Sequence, residues 1–433
     1  MLIRDVEVAG RGRVDVRVRG GRIAEIGRGL PGAADVDGRG GALLPGLHDH
    51  HVHLAALAAE AGSVRVGPGE VRGREGLAAA LRAGAPGEWV RGVGYHESVA
   101  GELDRRVLDG LVPDRPVRVQ HRSGAMWFLN SAALRAAGLD GTAGFDSTAG
   151  FDGEAGLAVD GRLWREDQRL RDLVPPVPLD LAGVGRRAAR LGVTGFTNAD
   201  PRPRDGLARM LSVLPQRVLV MSAEDPVKLM LDDPTLPTPA ELASTIARLR
   251  PGPVAVHCVT RVQLLVTLLA LDDVGPVDGD RIEHAAVVPA ESVEWIRRLG
   301  VTVVTQPHFP VERAHAYAAD VHPDDRPHLY RCRTLAEAGV PVAAGTDAPY
   351  GTHDPWAVMR AAVERADGED VTPSAALRLF LGTPERPGKP RQLTVGSVAD
   401  LCLLQVPLRE ALDALSAEAV RAAYVGGRPL HTP

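Results

Sequence analysis

From about residue 226 onward, short apolar runs alternate with amphipathic stretches, and this alternation constrains the chain more than any other feature. A run of four to six apolar residues between helical patterns reads as a buried strand, and strands that alternate with helices build a parallel sheet. The runs are PVKLML, PVAVHC, DRIEH, VTVVTQ and PVAAGTD, giving five strands in the second half. After the first comes TPAELASTIARLR, with Thr238 placed as N-cap, Pro239 in the first turn, and Leu242, Ile246 and Leu249 on one face. VQLLVTLLALDDVG follows the second run. AESVEWIRRLG follows the third and ends at Gly300, a residue suited to the left-handed position after a helix.

The two ends of the chain have a different pattern. Residues 1–44 read as short strands split by Gly-rich turns, with Gly20 and Gly21 suited to a hairpin, and residues 391–433 carry strand-like runs again in LTVGSVADLCLLQ and AAYVGGRPLHT. The ends are expected to pair as one small β-domain around a main α/β domain of residues 45–390. Residues from about 96 to 175 break any period with Gly and Pro and are expected to form an insertion over the active site. The doubled TAGFD at Thr142–Asp146 and Thr148–Asp152 is too short to be a structural repeat and reads as loop.

Charge and composition exclude several classes of function. The net charge of −5, with Arg and acidic residues intermixed, leaves no basic stripe for nucleic acid or an anionic membrane. The first 26 residues alternate apolar and charged residues and lack the apolar core of a signal peptide, and the only cysteines are Cys258, Cys332 and Cys402. A reducing cytoplasm is therefore the expected compartment. For a soluble enzyme of this kind a homodimer is the commonest assembly. Of the 50 basic residues only Lys228 and Lys389 are lysines, so each lysine stands out.

In LLPGLHDHHVHL, His51 and His53 are two residues apart, and in an extended strand both imidazoles project to one face and can reach one ion. Alone, with His48 and His50 beside them, they read more simply as a His-rich surface turn. His257, His284 and Asp347, however, each end an apolar strand, where parallel α/β folds place their chemistry. Singly these would be core histidines and an N-cap; together with the His pair they make a ligand set suited to zinc and similar ions. Lys228 is a poor ligand as an ammonium. Carboxylated by carbon dioxide it becomes an anion that can bridge two metals, whereas a structural Lys228 would snorkel or pair with Asp232 or Asp233.

In the order HxH, Lys, His, His, Asp, these residues resemble the amidohydrolase superfamily, and the resemblance covers nearly the whole chain through PGLHDHHVHL, RIEHA, GTDAP and VGSVADLCLL. Through GVTGFTNAD, PVKLMLDD, RIEHA and TQPHF it is most similar to the branch holding N-acyl amino-acid deacylases and their uncharacterised relatives. The resemblance implies a (β/α)8 TIM-type barrel with a small β-sandwich formed by the two terminal segments. It also implies two divalent ions (zinc, or else iron, manganese or cobalt). His51, His53 and Asp347 would hold one, His257 and His284 the other, with carboxylated Lys228 bridging. Two departures are visible. Ala125 stands where this branch often has a His, and VHCVTR lacks the Glu three residues after His257 that mononuclear deaminases of the superfamily generally use.

The function implied is hydrolysis of a C–N bond of a small molecule, in an amide, cyclic amide or N-acyl group, by metal-activated hydroxide, with Asp347 as the catalytic acid and base. A mononuclear ring aminohydrolase and a non-catalytic barrel scaffold are the alternatives. Tyr95, His96, Trp127, Asn130, Asn198, Gln306 and His308, on predicted loops or strand ends, are candidates for substrate contact. Trp127 could instead be packing, and Asn130 could cap the helix that starts SAALRAAGL.

Overall fold

The computed structural model describes residues 1–84, 89–139, 156–157, 160–176, 178–200 and 206–432, so the doubled TAGFD segment lies outside the described residues. The chain divides into two compact units, one of residues 1–54 and 181–433 and the other of residues 55–180. The fold is mixed α/β.

The first unit contains eight parallel strands in two sheets. We number them β1 (Leu47–Val52), β2 (Val193–Asn198), β3 (Arg217–Val220), β4 (Val227–Leu229), β5 (Val254–Cys258), β6 (Arg281–His284), β7 (Thr302–Thr305) and β8 (Val342–Ala344). One sheet has β2 between β1 and β3; the other carries β4 to β8 side by side in chain order. The five apolar runs of the second half are these last five strands. They are largely apolar because a parallel strand is covered on both faces, and the polar residues they carry, Lys228, Arg281 and Glu283 among them, are buried as well.

Helices Pro239–Leu249, Arg261–Val274 and Ala290–Leu299 follow β4, β5 and β6. Thr238 and Glu241 form a reciprocal capping box at the first, and Gly300 takes φ 68° at the end of the third. Leu242, Ile246, Leu264, Leu268, Leu271 and Ile296 bury their side chains in one core with Val254, Val256 and Ile282 of the strands. Each such side chain contributes about 1.5–3 kcal/mol by leaving water.

Between β8 and β1 the chain makes its own contacts. Asp347 N–H donates to His51 O at 2.8 Å, and His53 N–H to Ala348 O at 2.9 Å. A Cβ on Gly345 would lie 2.5 Å from the His51 backbone nitrogen, so only glycine permits this approach.

The two ends of the chain supply two four-stranded sheets. The first holds Leu2–Val8, Gly12–Arg19, Arg22–Gly27 and Val36–Asp37, and the second Leu43–Pro45, Leu401–Leu404, Val420–Val425 and Arg428–His431. Gly20 and Gly21 make the turn between the second and third strands with φ 55° and 75°. Ile3, Val16 and Ile23 share one apolar core with Leu401, Leu403 and Tyr424, so the two terminal segments pack against each other.

The second unit has its own six-stranded sheet. Its order is Gly156–Leu157, Arg162–Trp164, Met126–Leu129, Val117–His121, Val90–Tyr95 and Val64–Arg65, the last three parallel. Among the described residues, regular structure is therefore present in the segment of about 96–175 whose sequence shows no period, in strands of two to five residues. Among the described residues no helix is long and apolar enough to cross a membrane.

Candidate metal centre

Parallel strands share a direction, so side chains at their carboxyl ends collect at one end of each sheet. His51 lies near the end of β1 and His53 just beyond it, Lys228 is in β4, His257 in β5, His284 ends β6, and Asp347 follows β8. His53 Nε2 is 3.2 Å and His51 Nε2 3.6 Å from Asp347 Oδ1, and Lys228 Nζ is 3.2 Å from His51 Nε2. The His284 ring packs 4.6 Å, centroid to centroid, from both His51 and His257. All six sequence-predicted ligands therefore meet, five through polar or ring contacts around His51 and Asp347 and His257 through His284.

The tautomer of three histidines follows from what their Nδ1 atoms face. His51 Nδ1 contacts Glu283 Oε2, His53 Nδ1 lies 3.1 Å from Asp200 Oδ1, and His284 Nδ1 lies 2.8 Å from Gln306 Oε1. Each partner is an acceptor, so each Nδ1 carries the proton and donates it, which leaves Nε2 with its lone pair. A fixed acceptor behind one ring nitrogen and a lone pair on the other is how metal-binding imidazoles are oriented.

A divalent cation fits this arrangement. Asp347 Oδ1 is buried with no hydrogen-bond partner, although two imidazole nitrogens lie within 3.6 Å, because those nitrogens turn lone pairs toward it. Lone pairs facing an anion are stable only around a proton or a metal ion. Tetrahedral bonds of about 2.0–2.1 Å separate neighbouring ligand atoms by about 3.3–3.4 Å, which the observed 3.2 and 3.6 Å bracket. His51, His53 and Asp347 form one such three-ligand group.

The electrostatics agree with this reading. Burial, helped by the charge of Lys228, holds the His51 pKa well below the usual value, and burial also lowers His284, so both rings are neutral. For His53, burial is outweighed by its hydrogen bond to Asp200 and by the Asp347 carboxylate beside it, which raise its pKa. Without a cation a proton takes that place. Asp347 is held far below the ordinary carboxylate range, since the adjacent His53 ring and the charges of His51 and His284 overcome its burial. Burial lowers the Lys228 pKa against the pull of Glu283, Asp347 and Asp200, and its Nζ also donates to Ala199 O at 2.8 Å.

His284 and Asp347 have φ of 68° and 53°, in the left-handed region that non-glycine residues avoid. Each such conformation costs of order 1–3 kcal/mol and persists where the surroundings fix it. Here it turns the side chain at the strand end away from the alternation of the strand.

The substrate candidates fall into two groups. In the first unit, Asn198 accepts from Leu54 N–H at 3.0 Å and donates to Asp200 at 3.2 Å, Gln306 braces His284, and His308 is a buried ring whose pKa burial pushes down to about 3. The others lie in the second unit. Tyr95 is wholly buried and donates its hydroxyl to Gly101 O, while Trp127 is buried beneath the guanidinium groups of Arg91 and Arg118. Asn130 caps helix Ser131–Ala136 through Ala133 N–H, also accepts from Val117 N–H, and donates to Val112 O and Arg115 O. These contacts use its full hydrogen-bonding capacity inside the unit. His96 lies beside Glu97 and His121.

Three residues absent from the sequence reading complete the centre. Glu283 and Asp200 fix two histidines, and Asp49 accepts from Thr346 N–H at 2.9 Å and Thr346 Oγ1 at 2.5 Å, tying β1 to the segment that carries Asp347. Burial pushes the Asp49 carboxyl up to about 6. The available signal was an acid inside an apolar strand, as in RIEH, since an unpaired charge there is costly.

The sequence pattern of the amidohydrolase family matches residues 35–199 and 252–431. YtcJ of Bacillus subtilis (strain 168), whose name places it among amidohydrolases, is 23% identical over 408 residues, covering 79% of this chain and 77% of that protein. The N-substituted formamide deformylase of Arthrobacter pascens is 33% identical over 138 residues, 29% of this chain and 26% of that enzyme. The solved structure of an uncharacterised metal-dependent hydrolase from Pyrococcus furiosus superposes with a TM-score of 0.68 at 22% identity, over 92% of this chain and 97% of that one.

Proposed function

The chain belongs to the amidohydrolase family, and from that premise we propose that it is a metal-dependent hydrolase of non-peptide C–N bonds, acting on an amide, cyclic amide or N-acyl group of a small molecule. The observation that carries this reading is the set of three imidazoles, His51, His53 and His284, each with Nδ1 donating to a fixed acceptor. A non-catalytic scaffold gives no reason for that bracing. The deformylase relative is named for removal of a formyl group from nitrogen, which supports the N-acyl reading over ring deamination.

In this reading β1 to β8 close as a (β/α)8 barrel of residues 45–390, with the β8 to β1 hydrogen bonds as the seam, and residues 1–44 and 391–433 form a β-sandwich. His51, His53 and Asp347 would hold one divalent cation and His257 and His284 a second, with Lys228, carboxylated to a carbamate, as a ligand shared between them. The neutral Lys228 amine adds to carbon dioxide, forming an N–C bond and releasing one proton. Its lowered pKa favours that reaction, because only the free amine is a nucleophile. Zinc suits the imidazole-rich set best, and iron, manganese and cobalt also accept it.

Divalent cations bound there supply Lewis acidity, polarising the substrate carbonyl and acidifying water enough for a base as weak as Asp347 to take its proton. Asp347, which its imidazole neighbours favour as the carboxylate, would accept that proton as water adds to the carbonyl carbon and deliver it to the departing nitrogen. Gln306 keeps an unpaired buried Nε2 while its Oε1 holds His284, and it would donate to a substrate oxygen. Asn198 and His308 stand as further contacts on the same unit. The test is metal content per chain, measured in bicarbonate on protein purified without chelator. Two ions in the wild type, falling to one or none in Lys228→Ala, are expected; one ion in both removes the bridging role and puts ring deamination, detected as released ammonia, first.

A further inference from the structure

The sheet of the second unit pairs strands Val90–Tyr95 and Val117–His121 in parallel, with Arg91 directly opposite Arg118, and sets Gln120 opposite Trp127 of the next strand. Directly opposed residues project to one face of a sheet, as do residues two apart, so Arg91, Arg118, Gln120 and Trp127 share a face. The opposite face carries Val90, Val117 and Val119 into an apolar core. On the shared face Trp127 packs with Leu129, Leu163 and Trp89.

Arg118 is out of place in this setting. It is only 6% exposed, and its guanidinium lies 5.6 Å from the centre of the Trp127 ring and 6.0 Å from that of Trp89. Among the described residues it has no carboxylate partner, and its Nε is buried without a hydrogen bond. Its neighbour on the sheet is a second cation. Arg91 lies 5.4 Å from the centre of the same Trp127 ring, donates to Ser63 Oγ and reaches Gln120 Oε1 at 3.4 Å. Burial, and after it the charge of Arg91, pulls the Arg118 pKa down to about 10, so the group is still charged at neutral pH.

We propose that Arg118 and Arg91 form a binding site for the carboxylate of a small organic acid. A guanidinium held only by two indole faces is the simpler alternative. Those faces attract its charge but accept its N–H groups only weakly, and they leave the repulsion between the two arginines uncompensated. A buried charge is stable when it is both paired and hydrogen-bonded. A carboxylate supplies both, because its two oxygens match the guanidinium fork in parallel hydrogen bonds and its charge is opposite. The indoles favour an organic acid over an inorganic oxyanion, since they offer apolar surface to the rest of the ligand. None of these residues belongs to the centre built on His51 and Asp347, so the proposal stands apart from the hydrolase reading.

The test is a titration of the full-length protein with sodium hexanoate, against sodium chloride at equal ionic strength, followed by tryptophan emission. It compares the wild type with Arg118→Met, which keeps the apolar stem of the side chain. Hexanoate should change the wild-type emission along a saturation curve where chloride does not, and its dissociation constant should rise by at least about tenfold in the variant, the loss expected when a charged hydrogen-bonding partner is removed. Thermal unfolding without hexanoate separates binding from packing. Removing a buried charge that has no partner should leave the midpoint unchanged or higher, whereas removing a guanidinium that serves packing lowers it by several degrees. A response that does not saturate, an unmoved constant in Arg118→Met, a response to inorganic phosphate but not to hexanoate, or a midpoint lowered by several degrees overturns the site.

Discussion

Asp200→Asn tests whether the fixed acceptors make the main centre. Asp200 offers Oδ1 to His53 Nδ1 at 3.1 Å and Oδ2 to Asn198 Nδ2 at 3.2 Å, so donors occupy both oxygens. An asparagine has one acceptor to share between them. If its NH2 faces His53, the ring must move its proton to Nε2, the atom that faces Asp347 and would hold the cation. If its NH2 faces Asn198, two donors oppose each other and a hydrogen bond to a charged acceptor, of order 1.5–3 kcal/mol, is lost. Replacement of such partners costs about 10–100-fold in metal affinity, or about 1.4–2.7 kcal/mol. Asp200 is 27% exposed, so water screens part of that hydrogen-bond loss and the metal-free protein should unfold only slightly below the wild-type temperature. The assay titrates zinc into chelator-treated protein against a chromophoric competitor, with thermal unfolding followed in parallel. Wild-type zinc affinity in the variant would refute the bracing argument; weaker binding with a large loss of apo-protein stability would refute its assignment to the tautomer.

Asp347→Asn should lower turnover by about 10²–10⁴-fold, the usual worth of a general acid and base, and retention of both metal content and near-normal turnover on an N-acyl substrate panel counts against the mechanism. Gly345→Ala puts a Cβ against the His51 backbone and should cost about 1–3 kcal/mol, read from the urea midpoint of the metal-free protein; an unchanged midpoint refutes the close approach of β8 to β1. Burial pushes the thiols of Cys258, Cys332 and Cys402 up to about 12 each, so they stay protonated at pH 8 and little reactive thiolate forms. Ellman's reagent should find no rapidly reacting thiol in the native protein and three after unfolding, and prompt native reaction would show those positions to be open.

The strands that carry the main centre were legible because a doubly covered parallel strand must be apolar, and a His or Asp at the end of such a run is conspicuous. His257, His284 and Asp347 are visible in that way, His51 and His53 by their spacing of two, and Lys228 because arginine replaces lysine nearly everywhere else. The second unit was not legible. Its strands of two to six residues are too short to establish a period, and Gly and Pro between them imitate a long loop. Tyr95, Trp127 and Asn130 drew attention as polar or aromatic groups near strand ends, but what each touches depends on residues brought up by folding: Gly101, Arg118 and Val117.

The residues that brace the centre explain where sequence reading stops. His51 on β1 is held by Glu283 on β6, 232 residues away; His53 by Asp200 beyond β2, 147 away; and His284 on β6 by Gln306 beyond β7, 22 away. Asp49 on β1 holds Thr346 beyond β8 across 297 residues. In every pair the side chain and its support come from different strands, so no local motif contains both. Ligand types can therefore be read along the chain, whereas protonation and aim are decided across it. The same arrangement makes strand pairing and site geometry one hydrogen-bonded assembly: a change that shifts β6 against β1 moves Glu283 relative to His51 and changes the tautomer before it changes the fold.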